Sequence, residues 1–453
     1  METGGDISQV HNLLEQAQQV AGRRWRGYLD NTLGIIVGVQ IKLGDIEGAL
    51  QTAKSIKNDM QRALALSAVA VAQMRARERA LAADTFRLAE RAAQASKPEV
   101  YRTSALLILA SAQAQAGDVV AALETLKAIA QDSGGDKAMA EIAVAQAQAG
   151  DTEGARHTAE ALTDDFKATT ALPAIAVALV KRGDRTAATQ AIEQALQAAA
   201  AIHDASAKAW ALREIAAAQA GLGDRASAAA TFQQALQAAD GIEKESGKSL
   251  ALNIIAMAQL EAEDIEAALE TARRVSDSTF KGLVLVAIAY SQSERSVPGA
   301  SETCQEALEI ARSIEDDFWR DLIRARVAWA KVQQEDITAA RQILSVVSDD
   351  VCKVDILNAI ATSQARAGDW PATTETFLEA LATANGVKQH YMRVLALGKI
   401  AHDQTLAGDA AVALTWANKR RSRLEKADGL VHIALGLLRR IEAETVPGVS
   451  QDA

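Results

Sequence analysis

The chain has 453 residues, 49% of them hydrophobic and 4% aromatic, with five prolines and a formal net charge of -10. This length exceeds the roughly 250 to 300 residues that one core spans, so it excludes a single-core domain and leaves several domains or an array with a distributed core. The acidic balance excludes an electrostatic grip on nucleic acid or on an anionic membrane, and the alanine-rich, proline-poor composition excludes a sheet protein.

The segment Met1–Val10 carries acids and glycines where an export signal would carry a basic start and an apolar run. The longest apolar runs reach about half of the roughly 20 residues that a membrane helix requires. Two cysteines, Cys304 and Cys352, give neither a disulfide framework nor a four-ligand zinc site. The expectation is a soluble, cytoplasmic protein with no membrane insertion, no cofactor and no metal. In chain order the pattern predicts a disordered tail over 1–5, an N-terminal capping helix over 6–23 and a repeat array over 24–441. The array closes with a capping helix over 426–441, and a disordered tail follows over 442–453.

The array is read from one recurring unit, seen at Arg213 to Leu236 as a helix ending at Gly223, a tight turn, and a second helix starting at Asp224. Equivalent turn positions are Gly44, Arg77, Gly117, Gly150, Gly183, Gly223, Glu263, Arg295, Glu335, Gly368 and Gly408, most of them 33 or 40 residues apart. The two periods differ by seven residues, or two helical turns, so a longer unit keeps its apolar face in register. The residue after the turn is aspartate in nine units, Ser296 in a tenth and Glu78 in the last. A side-chain oxygen there caps the second helix, while the glycine before it takes the left-handed conformation that ends the first. Alanine recurs five residues after the turn, as at Ala228, and seven before it, as at Ala216, so small faces meet where the two helices cross. Phe86, Ile192, Phe232, Cys304 and Phe377 fall on the buried face of the longer units, which makes Cys304 a core thiol. Pro173 falls inside a first helix and should bend it or displace its start.

Ala216, Gly223, Ala228, Phe232 and Ala235 stand at the positions of small residue, turn, alanine, aromatic and alanine in a hairpin that resembles the tetratricopeptide repeat family. The resemblance covers about Arg24 to Ile441. It departs from the family in its period, about 34 there, in a first-helix aromatic that is usually glutamine here, and in a missing closing proline. The fold class it implies is all-α, a right-handed α-solenoid of about eleven helix-turn-helix repeats of 33 and 40 residues.

Two polar columns run through the first helices. Glutamine lies four residues before the turn at Gln40, Gln73, Gln113, Gln146, Gln219, Gln259, Gln364 and Gln404. A structural amide ladder is the favoured reading, and a polar track for a bound peptide backbone is the other. Basic residues lie fifteen before the turn, at Arg62, Arg102, Lys208, Lys248, Arg320, Lys353, Arg393 and Lys426. Most have an acid three or four residues earlier, while Arg393 and Lys426 do not and are the better ligand candidates. The basic run Lys419, Arg420, Arg421, Arg423 and Lys426 reads first as a solvated helix face.

The resemblance implies a concave face lined by first helices, and its members include Trp210, Arg213, Asn253, Met257, Trp329, Asn358, Arg366 and His402. With Gln219 and Arg393 these are the candidate partner-binding residues. Trp210 and Trp329 are read evenly as binding hot spots or as wedges between units. A mixed groove of this kind suits a protein or peptide segment held by apolar pockets and a few polar anchors. No unit supplies the lysine-asparagine-lysine clamp with which family members grip a terminal carboxylate. The six histidines stand singly, and the acid pairs fall at helix starts, so no catalytic residue is assigned. The function expected is a non-enzymatic interaction scaffold or adaptor. The alternative is a receptor that senses a peptide or small molecule, with an enzyme third. Homo-oligomerisation through the end repeats is a further option.

Overall fold

The computed structural model describes residues 3–21, 26–133, 135–160, 162 and 171–445, and among them there are helices and turns but no strand. Two compact units divide the chain, Met1–Val69 with Ile314–Ala453 and Ala70–Ser313. In chain order the helices are α1 (Thr3–Ala21), α2 (Arg26–Lys42), α3 (Ile46–Ser55) and α4 (Asp59–Arg75), the last crossing the division. The second unit continues with α5 (Arg79–Ala95), α6 (Glu99–Gln115), α7 (Val119–Ser133), α8 (Gly135–Ala149), α9 (Thr152–Glu160), α10 (Leu172–Lys181) and α11 (Arg185–Ala201). It ends with α12 (Ala205–Gly221), α13 (Arg225–Asp240), α14 (Glu245–Glu261), α15 (Ile265–Arg274), α16 (Ser278–Glu294) and α17 (Ala300–Arg312). The first unit resumes with α18 (Asp317–Gln333), α19 (Ile337–Leu344), α20 (Asp350–Arg366), α21 (Trp370–Gly386), α22 (His390–Leu406), α23 (Ala410–Asn418) and α24 (Arg423–Thr445).

Within each unit hairpins pair a first helix with a second, as in α12 with α13 and α20 with α21, and successive first helices pack side by side. In the second unit that inner row runs α6, α8, α10, α12, α14, α16, and in the first unit α18, α20, α22, α24. Most first helices are 17 residues long, whereas the second helices vary from eight in α19 to 17 in α5, α11 and α21. The seven extra residues of the long units therefore lengthen the second helix and leave the inner row constant. Ala216, Ala228, Phe232 and Ala235 are all buried, as are Phe86, Phe377 and Cys304, so the expected core columns form the actual core. The core is accordingly distributed, with each hairpin burying its stripe against its neighbours.

The turn register holds closely. Gly44, Gly117, Gly150, Gly183, Gly223, Gly368 and Gly408 all have positive φ, and so do Arg77, Glu263 and Glu335 where no glycine is present. At each of them the N–H of the next residue donates to the carbonyl five residues back, as from Asp224 to Gln219 at 3.0 Å, which closes a Schellman turn. Aspartates 45, 118, 151, 184, 224, 264, 336 and 369 cap the second helix by accepting a backbone N–H three residues on. Asp409 makes no such bond, and its carboxylate accepts from Gln404 Nε2 at 3.1 Å instead. One unit departs from expectation. The positive φ falls on Ser296 and not Arg295, and Ser296 does not cap, because α17 starts three residues later with Gly299 at φ 101 as its N-cap. Pro298 precedes that helix, in the turn that leads into it. Pro173 lies in the first turn of the described part of α10, and the residues 163–170 before it lie outside the described residues.

The end helices were expected as separate caps, and they cap each other. α1 packs along α24 as a second helix packs on a first, and α24 also lies against α22 on one side and α2 on the other. Val10, Leu13, Leu14 and Ala17 form the buried stripe of α1, facing a helix that buries Ala427, Leu430, Val431, Ala434 and Leu438. The helices also overrun the expected tails, α1 beginning at Thr3 and α24 ending at Thr445. Gly398 and Gly436 allow α22 and α24 to approach, because a Cβ at Gly398 would clash with the Asp428 carboxylate and one at Gly436 would meet Thr405 at 2.8 Å.

Candidate peptide-binding surface

Five glutamines of one polar column and four basic residues of the other are engaged within the array. Thr125, Thr158, Thr271 and Thr376 donate their hydroxyls to the side-chain carbonyls of Gln113, Gln146, Gln259 and Gln364 at 2.9, 2.7, 2.7 and 2.8 Å. Trp416 Nε1 does the same to Gln404 at 2.9 Å. Donor and acceptor are always twelve residues apart, so each bond ties the end of a first helix to the middle of its own second helix. Gln219 belongs to this column and is buried, with no hydrogen bond to its Oε1 among the described residues. Its place inside the hairpin, with α13 packed over it, removes it from any partner-facing surface.

The basic column reaches backwards. Arg62, Arg320 and Arg393 donate to the carbonyls of Ile56, Ile314 and Val387, while Lys208 reaches that of Ala200. Each satisfies a carbonyl left open at the end of the preceding second helix. Arg393, expected to be free of an acid, pairs with Glu425 of α24 at 3.0 Å. Buried carboxylates have a similar joining role. Asp30 accepts the N–H groups of Lys57 and Asn58 at 2.9 and 2.8 Å, and Asp321 those of Ser348 and Asp349 at 2.6 and 2.9 Å, so each pins the loop that leads into the next hairpin.

Several of the candidate residues lie on the first helices of the inner row. In the second unit α12 and α14 pack against each other and present equivalent rows, Trp210, Arg213, Glu214 on one and Leu250, Asn253, Ile254, Met257 on the other. Trp210 is 43% exposed and Leu250 42%, large values for such side chains on a helix otherwise packed on three sides. The Arg213 guanidinium lies 5.3 Å from the Trp210 ring centre, and its Nη2 is 2.6 Å from Glu214 Oε1. Its Nε is buried with no acceptor. Cation-π contact and ion pair together hold arginine and tryptophan as one preformed amphipathic element. Leu250, Glu214 and Ile254 were missed in the sequence, although the register could have found Leu250, which stands 40 residues after Trp210 in the same position.

The candidates of the first unit do not assemble in the same way. Trp329 is 37% exposed on α18 and Arg366 is exposed at the end of α20, while His402 on α22 lies 3.1 Å from Asp403. Asn358 is a correction: at 1% exposure it lies in the packed interior around α20, and neither amide atom has a hydrogen bond among the described residues. Both candidate tryptophans are more than a third exposed. Cys352 is buried, and burial, with Asp349 beside it, pushes its thiol well above the ordinary cysteine range. Among the described residues no group of three or more His, Cys, Asp or Glu is placed to hold a metal ion. No helix in them is long and apolar enough to cross a membrane.

No protein-family model matches the chain, and no curated protein matches it in sequence. Among solved structures it is similar to the crystal structure of Ton1535 from Thermococcus onnurineus NA1, with 15% identity over 88% of this chain and 99% of that one and a TM-score of 0.27. It is also similar to a circular tandem repeat protein with novel repeat topology and enhanced subunit contact surfaces, with 13% identity over 98% of each chain and a TM-score of 0.20. At these scores neither likeness bears on function. The helical-repeat assignment rests on the chain's own register of turns, caps and hairpins.

Proposed function

We propose that the protein is a non-enzymatic scaffold or adaptor of the tetratricopeptide class, which binds a protein or peptide segment on the inner row of first helices. The observation that carries this reading is the half-exposed Trp210 with Arg213 stacked over it, set beside Leu250, Asn253 and Met257. Most of the recurring columns of each repeat are taken up by capping, clasps and core. These few residues are free of such duties, and they combine apolar area with one cation and one amide, which suits an amphipathic peptide. Tryptophan and arginine are also the residue types that dominate binding energy at protein interfaces.

The test is a pull-down and titration comparing the native chain with Trp210→Ala and Leu250→Ala. Loss of a hot spot is expected to weaken binding by about 2 kcal/mol, or roughly 30-fold, with the helical circular dichroism signal unchanged. Equal retention of partners by the native chain and both variants would sink the reading.

A further inference from the structure

A second site stands out in the first unit, where the end of α21, the start of α22, the end of α23 and the start of α24 line an open surface pocket of about 540 Å³. Its walls carry Arg393, Lys419, Arg420 and Arg421 against one acid, Glu425. Formally that is four positive charges and one negative in a chain whose net charge is -10. Glu425 is already committed to Arg393, at 3.0 Å. Lys419 and Arg421 are exposed and have no ion pair among the described residues. Arg420 is held in place, its guanidinium 5.0 Å from the Trp416 ring centre and bonded to Asn385 Oδ1. Partial burial pulls the Arg420 pKa down, as expected of a cation held near Arg393 without a full counter-charge, although Glu425 opposes the fall.

Ser422 and Glu425, also on the wall, place the first turn of α24 at the pocket. Ser422 Oγ accepts the Glu425 N–H at 3.4 Å, which leaves the N–H groups of Arg423 and Leu424 without a partner within the helix, and the helix dipole favours negative charge there. Arg393 also serves the repeat, through Val387 and Glu425, whereas Lys419 and Arg421 make no ion pair among the described residues. Other units end their second helices without such a concentration of arginine and lysine, and the clasp between Trp416 and Gln404 is complete without it.

We propose that this pocket is a binding site for a small polyanion bearing phosphoryl groups, with Lys419, Arg420 and Arg421 as the charged donors and the first turn of α24 completing the cradle. Guanidinium forks match the tetrahedral oxygens of a phosphoryl group, and two linked groups match the net charge of the wall better than one. The volume falls within the range of small-ligand pockets and exceeds what one orthophosphate fills.

The experiment is isothermal titration of the full chain with inorganic pyrophosphate, orthophosphate and citrate at fixed ionic strength. Saturable 1:1 binding of pyrophosphate is expected, tighter than orthophosphate or citrate. The double variant Lys419→Ala, Arg421→Ala should weaken it at least tenfold, because both side chains are exposed and their removal leaves the fold intact. A control variant at exposed arginines of the second unit, Arg225→Ala with Arg273→Ala, should bind as the native chain does. No saturable binding, equal binding by the Lys419/Arg421 variant, equal loss in the control, or citrate binding as tightly as pyrophosphate would each overturn the proposal.

Discussion

Gln259 and Thr271 are both 1% exposed, and the 2.7 Å bond between them is made where water cannot replace it. Removing either partner leaves the other unpaired in the core, at about 1 to 3 kcal/mol. The chain itself shows a compatible substitute, since Leu179 and Ala191 occupy the two equivalent positions in α10 and α11. Gln259→Leu and Thr271→Ala are therefore each expected to lower the melting temperature. The double variant should recover part of the loss, with a coupling of about 1 kcal/mol or more. A strictly additive double variant in thermal or urea unfolding would show that the bond contributes nothing. The glutamine column was legible in the sequence, but its cause was not. The partner threonine lies twelve residues away, a distance that helical periodicity does not bring together until the hairpin has folded back.

The hairpin turn is the element that sequence determines best, because it depends on local backbone conformation. Eleven turn positions were expected, and ten carry the left-handed residue where it was expected. Arg77, Glu263 and Glu335 adopt it without being glycine, at φ of 66°, 66° and 61°. An L-residue in that region is destabilised by about 1 to 2 kcal/mol, part of which is offset because glycine loses more freedom on folding. Glu335→Gly and Arg77→Gly are accordingly expected to stabilise the chain by about 0.5 to 1 kcal/mol each. A melting temperature that stays level or falls would count against this account. The turn at Arg295 slipped by one residue because the stretch from Ser296 to Gly299 includes Pro298, which delays the start of α17.

On the scale of the whole molecule, ion pairs between repeats add to the distributed core. In the second unit Glu263 pairs with Arg225 at 2.6 Å and Arg295 at 3.0 Å, and Asp240 with Arg274 at 2.8 Å and Lys248 at 3.1 Å. Arg295 and Arg225 hold the Glu263 carboxyl below its ordinary value. For Asp240 partial burial pushes upward, and the bonds from Lys248 and Arg274 outweigh it, so its pKa is also lowered. A lowered folded pKa means that the folded state binds protons less readily than the unfolded chain. The stabilisation is present above the ordinary carboxylate range near 4 and is lost as pH falls through the lower folded value. The melting temperature should drop between about pH 5 and pH 3, and Asp240→Asn with Glu263→Gln should flatten that drop. An unchanged slope in the double variant would remove these pairs from the account. Both sites are exposed, so added salt should shrink the effect.

By itself the sequence determined the all-helical class, the hairpin, its caps and its core columns, because each follows from neighbours within one or two helical turns. Tertiary structure decided which polar residues remain for a partner. It placed Gln219 and Asn358 inside, gave Arg393 the distant Glu425, and left Trp210 and Leu250 on the surface. It also paired α1 with α24, two helices at opposite ends of the sequence whose buried stripes match only when laid together. Periodicity records which face of a helix is apolar, and it carries no record of which distant helix that face will meet.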